Sequence, residues 1–293
     1  MRNASQLLRR VTAAAQTKLE RRQAPVRVLA TSGPLVVRLA VSEEEVHAAQ
    51  RLRYTVFYEE MAATPSAEMA TARRDFDRYD EFCDHLLVID EAAETRDARV
   101  VGTYRLLRHA VAKQHGGFYS ADEYDLAPLL KKAAEGLSLM ELGRSCVARP
   151  YRTNATIQLL WRGITGYMFE HGVDVMFGCA SLAGTDPDNL ALPLSFLHHE
   201  FLAPADWRVR ALDARYVPMD RMPKEEVDLK TALNALPPLI KGYLRLGAHI
   251  GDGAVVDYQF GTTDVFIILP VDRIPERYYS HFDREGVAAR SRG

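Results

Sequence analysis

The stretch 137–182, LSLMELGRSCVARPYRTNATIQLLWRGITGYMFEHGVDVMFGCASL, constrains the fold most, because its apolar residues change period twice. A short apolar run reads as a strand, and a polar, Arg-rich loop follows it. Ile157, Leu160, Trp161, Ile164, Tyr167 and Met168 then recur at i, i+3, i+4, i+7, i+10 and i+11, the spacing of one helical face. Gly172 stops this helix, and VDVMFGCASL supplies a second strand. Inside the helix Gly163 and Gly166 each cost about 1 kcal/mol relative to Ala, so their presence predicts close packing on a sheet.

The rest of the chain adds strands and helices in mixed order. Residues 35–41 read as a strand, and Ser42-Glu43-Glu44-Glu45 after them as a capping box that starts a helix running to about residue 60. The small, polar run 61–76 predicts a mobile loop over a site. Residues 85–90 and 100–107 form the arms of an antiparallel hairpin. Beyond it the pattern predicts a helix over 123–135 ended by Gly136, a helix over 187–201 and a strand over 208–216. A helix over 224–246 interrupted by Pro237-Pro238, a hairpin of 254–258 with 264–269, and a terminal helix near 275–283 complete the reading. With no repeat or long linker, residues 31–293 are expected to form one α/β domain of mixed α+β type.

Composition excludes several classes. With 37 Lys+Arg against 39 Asp+Glu, no global basic field points to nucleic acid, and none is expected as a partner. Cys83, Cys146 and Cys179 are too few and too scattered for a disulfide framework or a four-ligand zinc site, which fits a reducing cytoplasm. Adjacent histidines on a helix point about 100° apart, so His198 and His199 do not readily share an ion, and no metal is expected. No stretch approaches the roughly 20 continuous apolar residues that span a bilayer. Residues 1–30 carry Arg2, Arg9, Arg10, Lys18, Arg21, Arg22 and Arg27 against Glu20 alone. They read either as a basic amphipathic helix on an anionic membrane or as a tail solvated or packed on its own domain.

Four charged motifs lie at the edges of these elements: R-L-R-Y-x-V-F (51–57), F-D-R-Y-D (76–80), G-T-Y-R-L (102–106) and E-L-G-R-S (141–145). Taken singly, Arg53 and Arg105 read as surface charges, Asp77 and Asp80 as a turn or N-cap, and Glu141 with Arg144 as an ion pair. In this order and spacing they resemble the acyl-homoserine-lactone synthases. The chain resembles the bacterial ornithine-lipid N-acyltransferases more closely, over about 35–285. That match includes PPLIKGYLRLGAHIGDGAVVDYQFGTTDVFIILPV (237–271) and R-Y-Y-x-H-F (277–282).

The resemblance implies a GNAT-like acyltransferase fold: a mixed, mostly antiparallel sheet with flanking helices and a family-specific C-terminal part over about 224–285. It also implies a reaction in which a 3-hydroxyacyl chain passes from acyl carrier protein to the α-amine of L-ornithine. No cofactor is then held permanently, since phosphopantetheine arrives on the carrier protein. The enzyme would be cytoplasmic, with peripheral contact to the inner membrane face. Alternatives are a lactone-type synthase, an N-acyltransferase for another amino acid, or an inactive GNAT-fold binding module, which would keep the apolar periodicity but not the charged set.

Such a reaction needs a group to take a proton from the acceptor's ammonium and donors to polarise the thioester carbonyl. Glu141, with Arg144 beside it, is the candidate for the first task, and amides at a splayed strand end for the second. Arg53, Arg105 or Arg144 would bind the acceptor's carboxylate, Asp77 and Asp80 its ammonium, and Phe57 completes the substrate-binding set. Asp257 and Asp264 are further candidates for the side-chain amine, with capping of an edge loop as the alternative. By the same resemblance, the loop holding Arg149, Arg152, Thr153 and Asn154 receives the donor's pantetheine at a helix N-terminus. Arg152 and Asn154 stand where the acetyl-CoA pattern Q/R-x-x-G-x-G/A has glycines, which favours a carrier protein bearing one phosphate; the alternative is a capped helix with solvated arginines. Glu141 and Arg144 are three apart, which sends them to opposite faces of a regular strand, so a bulge is expected at 142–145 with Gly143 as its candidate.

Overall fold

The computed structural model describes residues 26–95 and 99–274. The expected terminal helix near 275–283, the motif 277–282 and residues 1–25 of the basic segment lie outside them. Ten strands are present among the described residues: β1 (Val28–Ser32), β2 (Leu35–Leu39), β3 (Asp84–Asp90), β4 (Val100–Arg108), β5 (Tyr124–Asp125), β6 (Leu139–Val147), β7 (Val175–Ala183), β8 (Arg210–Ala211), β9 (His249–Asp257) and β10 (Thr262–Pro270). The helices used below are α1 (Glu43–Tyr54), α2 (Ala67–Ala72), α3 (Ala127–Ala134), α4 (Asn154–Glu170), α5 (Ala191–Phe201), α6 (Leu229–Ala235) and α7 (Pro238–Arg245).

The described residues group into two compact units, one from the part of the chain up to Phe118 with Leu142–His171, the other from Tyr119–Glu141 with the part from Gly172 onward. In the first, β1, β2, β3 and β4 are neighbours in chain order, each pair antiparallel, and the later part of β6 lies next to β4. Val37, Leu86, Leu87 and Val88 are fully buried there, because strands covered on both faces bury successive side chains rather than alternate ones. In the second unit the order is β6, β7, β10, β9, β8, β5, with β6–β7 and β8–β9 parallel and the other pairs antiparallel. Phe177, Val265, Phe266, Ile268 and Leu269 form its core. The fold is the expected mixed α/β arrangement with a mostly antiparallel sheet.

Local chemistry explains most boundaries. The Ser42 side chain accepts from the Glu45 amide at 3.3 Å, but Glu45 turns back to the Val41 amide and to Arg38, tying α1 to β2 instead of closing a capping box. Past Tyr54 the helix widens into a π-helix over Thr55–Glu60, a form that recurs at functional sites. The run 61–76 is not a plain loop, since Ser66 caps the short helix α2 within it. Helix α4 is capped by Thr153 and buries Leu159, Leu160, Gly163, Ile164, Tyr167 and Met168, while Ile157 is exposed.

Four expected elements are shorter than their patterns. The helix over 123–135 begins only at Ala127, because Tyr124 and Asp125 pair with Ala211 and Arg210. The strand over 208–216 keeps two residues, since the chain turns at Leu212–Arg215. Turn bonds from Leu190 and Ala191 to Pro187 and Asp188 delay α5. The helix over 224–246 divides into α6 and α7 at Leu236-Pro237, as the two prolines require. In the basic segment, Val28 already belongs to β1.

Candidate active site

In the first unit, three of the charged motifs and Arg144 of the fourth meet in one buried ion cluster. Arg53, in the last turn of α1, donates from Nε to Asp75 Oδ2 (2.7 Å), from Nη1 to Asp80 Oδ1 (2.9 Å), and from Nη2 to Asp80 Oδ2 (2.8 Å) and the Asp75 carbonyl (2.6 Å). Arg105 on β4 donates to Asp77 Oδ1 at 2.7 Å and lies 3.6 Å from Asp80. Arg144 lies 3.3 Å from Asp75 and donates to Asp77 Oδ2 at 3.3 Å. The guanidinium groups of Arg53, Arg105 and Arg144 thus balance the carboxylates of Asp75, Asp77 and Asp80, as burial requires.

Asp77 and Asp80 shape a turn and face the arginines at once. Asp77 caps the 3₁₀ turn Arg78–Glu81, its Oδ1 accepting from the Tyr79 amide, while Asp80 Oδ2 accepts from the Asp77 amide, and the same oxygens face the arginines. Burial alone would raise the Asp80 carboxyl, but the Arg53 guanidinium, with Arg105 and His85 beside it, holds it well below the usual carboxylate range. Asp75 is lowered in the same way, against burial, by Arg53 and Arg144.

Arg53 is not a surface charge: its side chain is 0% exposed and is taken up by Asp75 and Asp80. Arg105 is likewise enclosed. The members that reach solvent are Asp77 and Arg144, with 21% and 14% of their side chains exposed. Phe57 is half-buried in the π-helix. Asp75, the residue that joins Arg53 to Arg144, escaped the sequence reading, for its only signal is its place one residue before F-D-R-Y-D.

The backbone of β6 departs from a regular strand near the expected place. Its parallel ladder to β7 covers Leu139, Met140 and Glu141, and Arg144 adopts φ 50°. The left-handed residue is therefore Arg144 rather than Gly143, a conformation that a regular strand does not contain.

The candidate donor loop is partly committed to its own fold. Arg149 is exposed in a 3₁₀ turn with Pro150 and Tyr151. Arg152 donates to the Val147 carbonyl (2.9 Å) and to Glu60 (2.6 Å). Thr153 accepts from the Thr156 amide as the cap of α4, and Asn154 is exposed at its first turn.

In the second unit, Glu141 is buried and heavily engaged. Its Oε2 accepts from the Tyr119 amide (2.8 Å), and its Oε1 accepts from the Ser120 amide (2.8 Å) and the Ser120 hydroxyl (2.5 Å). Three residues on, Glu123 donates its amide to the Ser120 carbonyl and accepts from the Cys179 thiol at 3.4 Å, while Arg215 lies 3.4 Å away. Burial first, then the Asp264 carboxylate, push the Glu123 carboxyl up to about 7, with Arg215 opposing. Carboxylate oxygens of Glu123, Asp257 and Asp264 lie within 4.8 Å of one another. Asp257 also caps its turn, accepting from the Gln259 and Phe260 amides, and Asp264 accepts from the Thr262 hydroxyl. The sequence reading named Asp257 and Asp264 but took Glu123 for the start of a helix.

Among the described residues one other group has ligand spacing. His198, His199 and Asp220 place one donor atom each within 4.8 Å, with the histidine rings at 83° and His199 Nε2 2.9 Å from the Met222 carbonyl. No helix among the described residues is long and apolar enough to cross a membrane.

A family model described as an acetyltransferase (GNAT) domain matches residues 52–162. The L-ornithine N(alpha)-acyltransferase of Brucella abortus is 54% identical over 259 residues, 88% of this chain and 92% of that protein. The protein of the same name from Rhodobacter capsulatus is 42% identical over 249 residues, 85% of this chain and 94% of that protein. Among solved structures, an N-acyl amino acid synthase from uncultured soil microbes aligns with a TM-score of 0.46 at 14% identity, covering 81% of this chain and 91% of that one.

Proposed function

Because the chain belongs to the L-ornithine N(alpha)-acyltransferase family, we propose that it transfers a 3-hydroxyacyl chain from acyl carrier protein to the α-amine of L-ornithine. The observation that carries this reading is the extent of the match: more than half of the aligned residues are identical to the Brucella relative over nearly the whole chain. In the reaction the amine nitrogen attacks the thioester carbonyl, a C–N bond forms, the C–S bond breaks and the pantetheine sulfur leaves as a thiol. The product is an N-acyl amino acid and the by-product a carrier protein with a free thiol.

The geometry supports a division of labour among the motif residues. Asp77 and Arg144, the cluster members that reach solvent, meet the acceptor, Asp77 its ammonium and Arg144 its carboxylate. Arg53, Asp80 and Arg105 hold those two in place, and Phe57 borders them from the π-helix. Arg149 and the Asn154 amide at the start of α4 receive the single phosphate of the donor, with Thr153 capping the helix and Arg152 bracing that loop. The basic residues before β1 bring the enzyme to anionic lipid, where its product belongs.

Incubation of the purified protein with 3-hydroxyacyl-loaded carrier protein and L-ornithine, followed by mass spectrometry, tests the reading. The expected product is N-acyl ornithine, made faster than with lysine, glutamine or glycine and faster from carrier protein than from acyl-CoA. Formation of an acyl-homoserine lactone from S-adenosylmethionine, or no product with ornithine, would overturn it.

A further inference from the structure

We propose that His198 and His199 of α5, the Asp220 carboxylate and the Met222 carbonyl bind one divalent zinc ion, which clips the chain after β8 onto that helix. Adjacent histidines leave a helix about 100° apart, yet in the last turn of α5 these two converge. Their rings meet edge to face with centroids 5.3 Å apart, and one nitrogen of each lies within 4.8 Å of the other and of an Asp220 oxygen. His199 Nε2 stands 3.3 Å from Asp220 Oδ1 and 2.9 Å from the Met222 carbonyl oxygen. Ligand atoms about 2.0–2.2 Å from a tetrahedral ion are roughly 3.3–3.5 Å from one another, so His199 and Asp220 are already at ligand spacing. His198 has to close by at most about 1.5 Å, within reach of an imidazole turning about its side-chain bonds.

The surroundings hold these groups in place. Ser195, fully buried one helical turn before His199, donates to the Met219 carbonyl (3.2 Å) and accepts from the amides of Arg221 (3.0 Å) and Met222 (2.9 Å). That hydroxyl fixes the backbone on both sides of Asp220, the kind of supporting bond that orients metal ligands. Val217, at the other end of the segment, is bonded to Ala254 of β9. The charge of Arg221 is taken by Asp188 and the Pro218 carbonyl. His198 Nδ1 is shielded from solvent and has no hydrogen-bond partner among the described residues. A buried ring nitrogen in that position is costly, and an ion is one of the few things that satisfies it. Asp220, with 60% of its side chain exposed, leaves a way in, and the C-terminal end of a helix favours a cation. Two imidazoles with a carboxylate select zinc over calcium or magnesium, which take oxygen ligands. Without the ion His199 Nε2 donates to the Met222 carbonyl; with it, the ring proton sits on Nδ1 and the Nε2 lone pair holds the metal.

Equilibrium dialysis of the full chain, free of any affinity tag, stripped with EDTA and titrated with zinc chloride, tests the site. It is read as zinc per chain and as melting temperature. One zinc per chain is expected, with a Kd below about 10 μM. At a hundredfold excess over Kd the melting temperature should rise by about 5 °C, and magnesium or calcium should not reproduce the rise. Asp220→Asn, at a mostly exposed position, and His198→Gln should each weaken zinc binding roughly 10- to 100-fold or more. Cobalt(II) in place of zinc should give the visible bands of a tetrahedral site with nitrogen and oxygen ligands, lost in both variants. Zinc binding weaker than about 10 μM, binding by both variants within about threefold of wild type, or the absorption of a cobalt–thiolate site would overturn the proposal. Should His198→Gln not fold, Asp220→Asn decides alone. None of these measurements involves acyl transfer, so the ornithine reading stands or falls separately.

Discussion

Asp80 accepts from two nitrogens of Arg53 and from the first amide of its own turn, with only 6% of its side chain exposed. Replacing it with Asn leaves Arg53 enclosed with one counter-charge fewer, and the expected loss is about 3–5 kcal/mol in urea denaturation. The pH dependence has a definite sign. The folded carboxyl is held below its unfolded value of about 3.9, so as pH falls the unfolded chain takes up the proton first. The stability due to this group is full above about pH 5 and drains below that, and Asp80→Asn should flatten that part of the acid limb. At this scale the sequence showed which side chains carry chemistry but not how they pair. Arg53, Arg105 and Arg144 looked interchangeable as carboxylate binders, and only their burial separates the enclosed pair from the one that reaches solvent.

Helix α4 shows how much of an element is legible. Its course follows from periodicity and Gly172, yet its buried face is rotated slightly from the expected one, taking in Leu159 and leaving Ile157 outside, because packing on β1, β2 and β3 sets the rotation. Two glycines that look alike in the sequence differ in the fold. A Cβ on Gly163 would overlap Cγ1 of the buried Val37, whereas one on Gly166 meets Leu29 at an ordinary 3.7 Å. Gly163→Ala is therefore expected to lower stability by about 1–3 kcal/mol, and Gly166→Ala to raise it by up to about 1 kcal/mol, both read from thermal or urea melts. Short elements were the least legible: β5 and β8 have two residues each, too few for any period, and exist because β5 pairs with β8 and β8 with β9.

For the whole molecule, the basic segment can be tested apart from the catalytic fold. β1 begins at Val28, so a chain without residues 1–25 keeps the sequence of every strand and helix named above. The expected outcome is an unchanged melting temperature and unchanged kinetics with soluble substrates, but weaker sedimentation with anionic vesicles, more so at low salt. Equal sedimentation of both forms would place the membrane contact elsewhere. What the sequence by itself determined was the class of fold, the long helices and strands and the four charged motifs, since periodicity, caps and motif spacing are local properties carried by residues close in the chain. Tertiary structure alone decided that Asp75 joins Arg53 to Arg144, that Glu141 accepts from the Tyr119 and Ser120 amides, and that Glu123 stands against Cys179, Arg215, Asp257 and Asp264. Those partners come from separate places in the chain, and the burial and charge that tune a carboxyl are set by what surrounds it in space, which no spacing along the sequence records.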